Sequence, residues 1–192
     1  MRVNATSPLR RRRRSAWLLA LAALGLVAVT ACERAPLLVE AGTRAPAFTL
    51  PRLAGGTAEF PAGFRDRVVA IRFWADWCPY CRAEMQALEP VYGRYRERGV
   101  VLLAVNVMQP REQVEAFVRE LGLTADVLLD GEGRTTRAYG VMGLPVTVFV
   151  DGAGIVRARI VGESTPETFV EVVDSLLGPR AAAPPAGVTP QR

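Results

Sequence analysis

The segment from Val68 to Cys81 limits this chain more than any other. The run Val68-Val69-Ala70-Ile71-Arg72-Phe73-Trp74 is apolar at all but one position and reads as a buried strand. Ala75-Asp76-Trp77 follows, then Cys78-Pro79-Tyr80-Cys81, and a helix-like run starts at the second cysteine. Any fold of this chain must place two cysteines, two residues apart, where a strand hands over to a helix. The helix brings unsatisfied N–H groups and the positive end of its dipole beside Cys78. That field favours thiolate over thiol, and thiolate is the species that attacks disulfides. Cys81 is then close enough to resolve the mixed disulfide. Cys78 is the expected nucleophile and Cys81 the expected resolving residue.

Other uses of the pair fit less well. A closed zinc site normally needs four N or S ligands. This chain has no histidine, and its one further cysteine is Cys32. Covalent haem attachment needs a histidine directly after the second cysteine, and Arg82 stands there. A purely structural disulfide across two residues closes too small a loop to add much stability. A Cys-x-x-Cys pair in a strand–motif–helix context is instead the mark of a thioredoxin-like redox site.

The residues around the motif resemble the TlpA/ResA-like branch of the thioredoxin superfamily, which are exported thiol–disulfide oxidoreductases. The resemblance covers residues 42–177. Gly42-Thr43-Arg44-Ala45-Pro46-Ala47-Phe48-Thr49-Leu50 is similar to an opening segment that this branch shares with redoxins and peroxiredoxins. The block from Phe73 to Met85 is similar to the active-site block and is the most specific match. Gly143-Leu144-Pro145-Val146-Thr147 resembles the segment that carries the family's cis-proline. A peroxiredoxin would place a single peroxidatic cysteine in a Pro-x-x-x-Thr-x-x-Cys context, which this sequence lacks.

The amino-terminal residues read as a processing signal. Arg10 to Arg14 form a basic block, and residues 16–29 are apolar and uncharged, too short for an ordinary membrane span. Val29-Thr30-Ala31-Cys32 resembles a bacterial lipobox. Residues 1–31 are therefore expected to be a lipoprotein signal peptide, with Cys32 lipidated and residues 32–42 serving as a tether. The alternative is a free cysteine in an uncleaved anchor; both put the domain outside the cytoplasm. The arginines also fit a twin-arginine export signal. Six of the 24 basic residues precede Cys32 and no acid does, so 18 arginines face 19 acids in the remainder. The formal net charge of +5 thus belongs to the signal, and nothing argues for nucleic acid as a partner. Residues 178–192 follow a Gly-Pro stop with an Ala/Pro-rich stretch and are expected to be a disordered tail. A single domain over residues 43–177 remains.

Further apolar runs over residues 100–107, 146–150 and 155–161 read as buried strands. Asp151-Gly152-Ala153-Gly154 between the last two is a hairpin turn signal. Residues 82–98 read as a helix that Pro90 should bend. Residues 111–121 put Val114, Phe117, Val118 and Leu121 on one face. A last helix carries Phe169, Val172, Val173, Leu176 and Leu177, and Ser164-Thr165-Pro166-Glu167 suits its start as a capping box or as a Pro at the first position. This order predicts an α/β domain with a mixed sheet flanked by helices, a thioredoxin-like fold. The helix at 111–121 with Val127-Leu128-Leu129 resembles the helix–strand insertion of the TlpA/ResA-like group.

The resemblance also implies roles near the sulfurs. A cis bond at Leu144-Pro145 would expose backbone that pairs with a substrate peptide; on sequence alone an ordinary trans proline at a strand start is the better reading, and the family resemblance reverses it. Glu84, one helical turn past Cys81, matches an acid that helps manage protons in ResA-like proteins; the plain alternative is a solvated helix carboxylate. Trp77, Pro79 and Tyr80 would surround the pair. Two residues depart from the pattern. Arg72 stands where thioredoxins place a buried acid; buried, it needs a partner, and Glu84 is the candidate unless Arg72 snorkels to the surface. Gln86 stands where the family usually has a helix-kinking proline.

The expected activity is thiol–disulfide exchange through the Cys78–Cys81 pair, with no further cofactor. The expected partners are protein disulfides and dithiols, a membrane thiol donor, and the membrane itself through lipid on Cys32. The main reading is a reductase, with apocytochrome c before haem attachment as a substrate class implied by the resemblance. A disulfide-donating oxidase is the first rival, because Pro-Tyr between the cysteines is a glutaredoxin-type pair, roughly 40–70 mV more oxidising than thioredoxin. A Cu(I)-binding module is the second, since two thiolates can hold Cu(I) without histidine.

Overall fold

The computed structural model describes residues 39–178. The expected signal peptide, Cys32 and the tail beyond Gly178 lie outside the described residues. The fold takes in the last residues of the expected tether: Val39 is buried, and the Gly42 N–H donates to the Val156 carbonyl at 2.8 Å.

A five-stranded mixed sheet organises the domain. Its strands are β3 (Val69–Trp74), β4 (Val101–Val107), β5 (Asp126–Asp130), β6 (Val146–Val150) and β7 (Val156–Val161), in spatial order β5-β4-β3-β6-β7. β4 is parallel to β3 and to β5, whereas β6 is antiparallel to β3 and to β7. Every residue of β3 is buried, as a central strand covered on both faces requires. Alternation then sorts its side chains. Val69, Ile71 and Phe73 join a core that includes Tyr139 and a separate amino-terminal hairpin, β1 (Phe48–Pro51) with β2 (Thr57–Phe60). Ala70 and Trp74 point to the opposite face, into cores built with the helices.

Helix α1 (Pro79–Arg96) begins three residues earlier than the sequence periodicity indicates. Pro79 occupies its first position, where a missing N–H costs nothing, and Cys78 is the N-cap. The helix ends at Arg96, two residues short of expectation, where the chain turns towards Gly99 at φ +85°. It continues through Pro90, which is solvent-exposed like Gln86, the residue whose carbonyl loses its intrahelical N–H partner there. Helix α2 (Arg111–Leu121) buries Val114 and Phe117 and closes on Gly122 in the left-handed region at φ +63°. A short helix α3 (Arg134–Ala138) follows β5. Helix α4 (Pro166–Leu177) starts on a Thr165 cap, whose hydroxyl accepts from the Thr168 N–H at 3.3 Å, with Pro166 at the first position. The capping-box alternative is not used, because Ser164 is engaged elsewhere. The hairpin β1–β2 and α3 carry too few residues for a periodic signal, and the sequence reading assigned neither. α2 and β5 form the expected insertion and place β5 at the sheet edge.

Candidate active site

Cys78 and Cys81 are joined as a disulfide with their Cα atoms 5.3 Å apart. The motif folds this way for a local reason. The Cys78 N–H closes a turn onto the Ala75 carbonyl at 3.3 Å, and the Cys78 sulfur accepts the Cys81 N–H at 3.2 Å. The sulfur thus fills the place a capping oxygen takes at other helix starts. Any negative charge on Cys78 after reduction would face the amino end of an 18-residue helix. Both cysteines are buried, packed with Trp74, Met85, Phe117 and Leu144. Around them Trp77 and Tyr80 are 66% and 56% exposed, and Pro79 is exposed too, so the covered sulfurs lie under an open aromatic rim.

Leu144-Pro145 enters the site from the far side of the chain. The Leu144–Pro145 peptide bond is cis, and Leu144 packs against the cluster that contains the cysteines. The Pro145 carbonyl accepts the Gly162 N–H at 2.9 Å. Arg159 of β7 holds the approach to this loop, donating to the Tyr139 and Gly140 carbonyls at 2.8 and 2.9 Å.

Arg72 and Glu84 meet in the interior. The Arg72 Nη2 lies 2.5 Å from the Glu84 Oε2, and each side chain is 2% exposed. Arg72 Nη1 also donates to the Thr147 hydroxyl at 3.1 Å, across the β3–β6 register that pairs the two residues. The other Glu84 oxygen accepts from the Ser164 N–H at 3.2 Å and from the Ser164 hydroxyl. The arginine does not snorkel outwards, and Glu84 is not a solvated helix carboxylate.

Sequence similarity agrees with this geometry. The profile of the AhpC/TSA family matches residues 41–159. The thiol-disulfide oxidoreductase ResA of Geobacillus thermodenitrificans is 35% identical over 159 residues, covering 83% of this chain and 91% of that protein. The chain belongs to the ResA-type thiol–disulfide oxidoreductases. It is therefore an enzyme of thiol–disulfide exchange, and the AhpC/TSA match takes in both the opening segment and the cysteine pair. Among solved structures, a thiol:disulfide interchange protein of DsbE type from Chlorobium tepidum is 28% identical, with a TM-score of 0.68 over 73% of this chain and 99% of that one. StoA from Bacillus subtilis, at 23% identity and a TM-score of 0.60 over 68% of this chain and 98% of its own, shares the fold.

Several residues that shape the site of this ResA-type protein were not singled out in the sequence. Thr147 and Ser164 complete the Arg72–Glu84 cluster, but small hydroxylated residues near a strand and a helix start carry no distinctive signal. Asn106 is the one polar residue in the run from Val100 to Val107, and that interruption was the available clue. Gln109 binds Asn106 and Asp76 from a loop, where sequence pattern says nothing about contacts. Among the described residues no group of three or more His, Cys, Asp or Glu side chains converges as a metal site would require.

Proposed function

We propose that this chain is an exported, lipid-anchored thiol–disulfide oxidoreductase that mainly reduces disulfides of exported proteins. The observation that supports it is the placement of Cys78 as the N-cap of α1, with Cys81 one turn inside and the cis Leu144–Pro145 segment packed against the pair. The reaction runs in two steps. The Cys78 thiolate attacks one sulfur of a substrate disulfide, forming a mixed disulfide and releasing the first substrate thiolate. Cys81, after losing its proton, attacks the Cys78 sulfur and releases the second substrate thiolate. Two electrons pass to the substrate, and the enzyme is left as the Cys78–Cys81 disulfide. A membrane thiol donor returns two electrons. Apocytochrome c before haem attachment is the substrate class we favour, on family grounds.

The roles within this reading are Cys78 as nucleophile, Cys81 as resolving thiol, Leu144 and Pro145 as the backbone platform for a substrate strand, and Trp77, Pro79 and Tyr80 as the contact rim. Glu84 and Arg72 tune the pair from beneath. Lipid on Cys32 would hold the domain at the membrane, and multiple acylation is expected because one chain anchors only marginally. Among the described residues no helix is long and apolar enough to cross a membrane.

A Cys81→Ser variant tests the substrate. It should accumulate a mixed disulfide with exported proteins, apocytochrome c among them. Failure to trap any exported protein would overturn the substrate assignment. A Cys32→Ala variant should leave the membrane fraction or remain unprocessed, and mass spectrometry showing an unmodified Cys32 in the mature protein would remove the anchor. The Pro79-Tyr80 spacer favours one rival, an oxidase. Equilibration of the pair with glutathione buffers separates the two: a potential near the glutaredoxin range or above would support disulfide donation.

A further inference from the structure

The turn that delivers Cys78 is held from outside by one side chain. Asp76 is the second residue of the turn closed by the Cys78 N–H and the Ala75 carbonyl. Its backbone N–H donates to the Gln109 Oε1 at 2.9 Å, and the Gln109 amide nitrogen donates back to the Asp76 carboxylate. The same Gln109 oxygen accepts from the Asn106 amide at 2.8 Å. Asn106 is 1% exposed and sits in register with Trp74, so the clamp is rooted in the sheet. The backbone bends to present Gln109: the preceding Met108 has φ +52°, in the left-handed region that disfavours residues with a Cβ.

The clamp matters because of where Asp76 lies. Aspartate is among the strongest N-capping residues, and this one is two positions before the N-cap of α1. Released, its carboxylate could swing to the first-turn N–H groups. It would compete with the Cys78 sulfur for the Cys81 N–H, and its charge would oppose a thiolate there. The other charges near the pair are already matched, Arg72 with Glu84 and Arg82 with Glu120. The side chains from other elements that cluster with the cysteines include the apolar Ala104 of β4, Val114 and Phe117 of α2, and Leu144. Asp76 is the one acid on the connecting turn.

We propose that Gln109 is a positioning residue for the redox pair: by binding both the backbone N–H and the carboxylate of Asp76, it holds that carboxylate off the amino end of α1 and leaves the Cys81 N–H to the sulfur of Cys78. The proposal rests on Cys78 being the nucleophile.

The test compares the full chain, reduced, as wild type, Gln109→Leu, Asp76→Ala and the double variant. The readout is the rate of iodoacetamide alkylation at Cys78 at pH 7, located by peptide mapping, with melting temperature recorded alongside. Gln109→Leu should slow alkylation several-fold, up to the roughly tenfold limit that a one-unit rise in thiol pKa sets when the thiol is mostly protonated. Adding Asp76→Ala should return the rate to at least the wild-type value, even if the melting temperature stays low. A merely structural clamp would not show that rescue. If Gln109→Leu alkylates like wild type, or if the double variant stays as slow as the single, the proposal is wrong. Should Gln109→Leu fail to fold, Gln109→Asn, one methylene too short to bridge, carries the same test. Preferential alkylation of Cys81 in the wild type would overturn the underlying assignment of roles and not the clamp alone.

Discussion

Arg72 of the central strand and Glu84 of the active-site helix form an ion pair from which water is almost fully excluded. The pair also reaches Thr147 on β6 and Ser164 ahead of α4, so four separate segments meet there. Two opposite charges in contact make a near-neutral unit, and its Glu84 lies three residues beyond Cys81 on α1. Taking one partner away leaves the other bare. Glu84→Gln should therefore lower the Cys78 thiol pKa, because the arginine is unmasked, and Arg72→Leu should raise it. Each single change should cost about 3–5 kcal/mol, the usual result of stranding a buried charge. The double variant should lose less than the two singles added together and return the thiol pKa towards wild type. Thiol titration and urea denaturation of the four proteins measure this. Additive losses with no opposite movement of the thiol pKa would mean the pair does not act on the sulfurs.

Cys78 should be the acidic thiol of the reduced enzyme and Cys81 should not. The Cys78 sulfur already accepts an N–H at the start of α1, whereas Cys81 sits inside the first turn and is fully buried. Alkylation rate against pH, measured on Cys78→Ser and Cys81→Ser, separates the two. Faster reaction of Cys81 near neutral pH would reverse the roles.

Phe117 joins the α2 insertion to the redox core. Its ring lies 4.7 Å from that of Trp74 in a tilted contact, and Arg82 stacks on it at 4.7 Å. Phe117→Ala should cost about 3–5 kcal/mol, as deletion of a buried aromatic does elsewhere. The Trp74 fluorescence should shift as water reaches the gap. A loss under about 1 kcal/mol would show that the insertion packs independently of the site.

Asp151 should make stability depend on acid. Partial burial works against its ionisation, but the Ile155 N–H, the Arg157 guanidinium and the Ala153 N–H outweigh it and hold the carboxyl below its ordinary range. A lowered folded-state pKa gives stability that is fully present above the unfolded value near 3.9, and it is lost as pH falls through the folded value. Asp151→Ala should destabilise the β6–β7 hairpin by about 1 kcal/mol at pH 7. The gap between variant and wild type should narrow below about pH 4, because protonation removes the same interaction. Denaturation midpoints at pH 7 and pH 3 provide the measurement; an equal gap at both would exclude the carboxylate as its source.

What was legible in the sequence was whatever repeats or stands alone. The helix at 111–121 matches its expected bounds because one buried face imposes its spacing, and the strand at 146–150 does so because burial on both faces leaves a short continuous apolar run. Cys78 and Cys81 were legible because few chemistries use two cysteines in this setting. The start of α1 was misplaced by three residues, since its cap is a sulfur and not the oxygen that marks most helix starts. The four-residue strands β1 and β2 span only two strand periods and the five-residue α3 less than two helical turns, too little to stand out from the surrounding sequence.

By itself, then, the sequence determined the order of the longer strands and helices, their apolar faces and the redox pair, all of which follow from local spacing and side-chain chemistry. Only the tertiary structure decided which polar residues meet. Arg72 lies 12 positions from Glu84, 75 from Thr147 and 92 from Ser164, yet all are neighbours in the folded chain. Gln109 reaches Asp76 across 33 positions. Such contacts arise when strands pair and helices dock, so no window of sequence contains them. A buried charge states only that a partner is needed, and packing chooses which one.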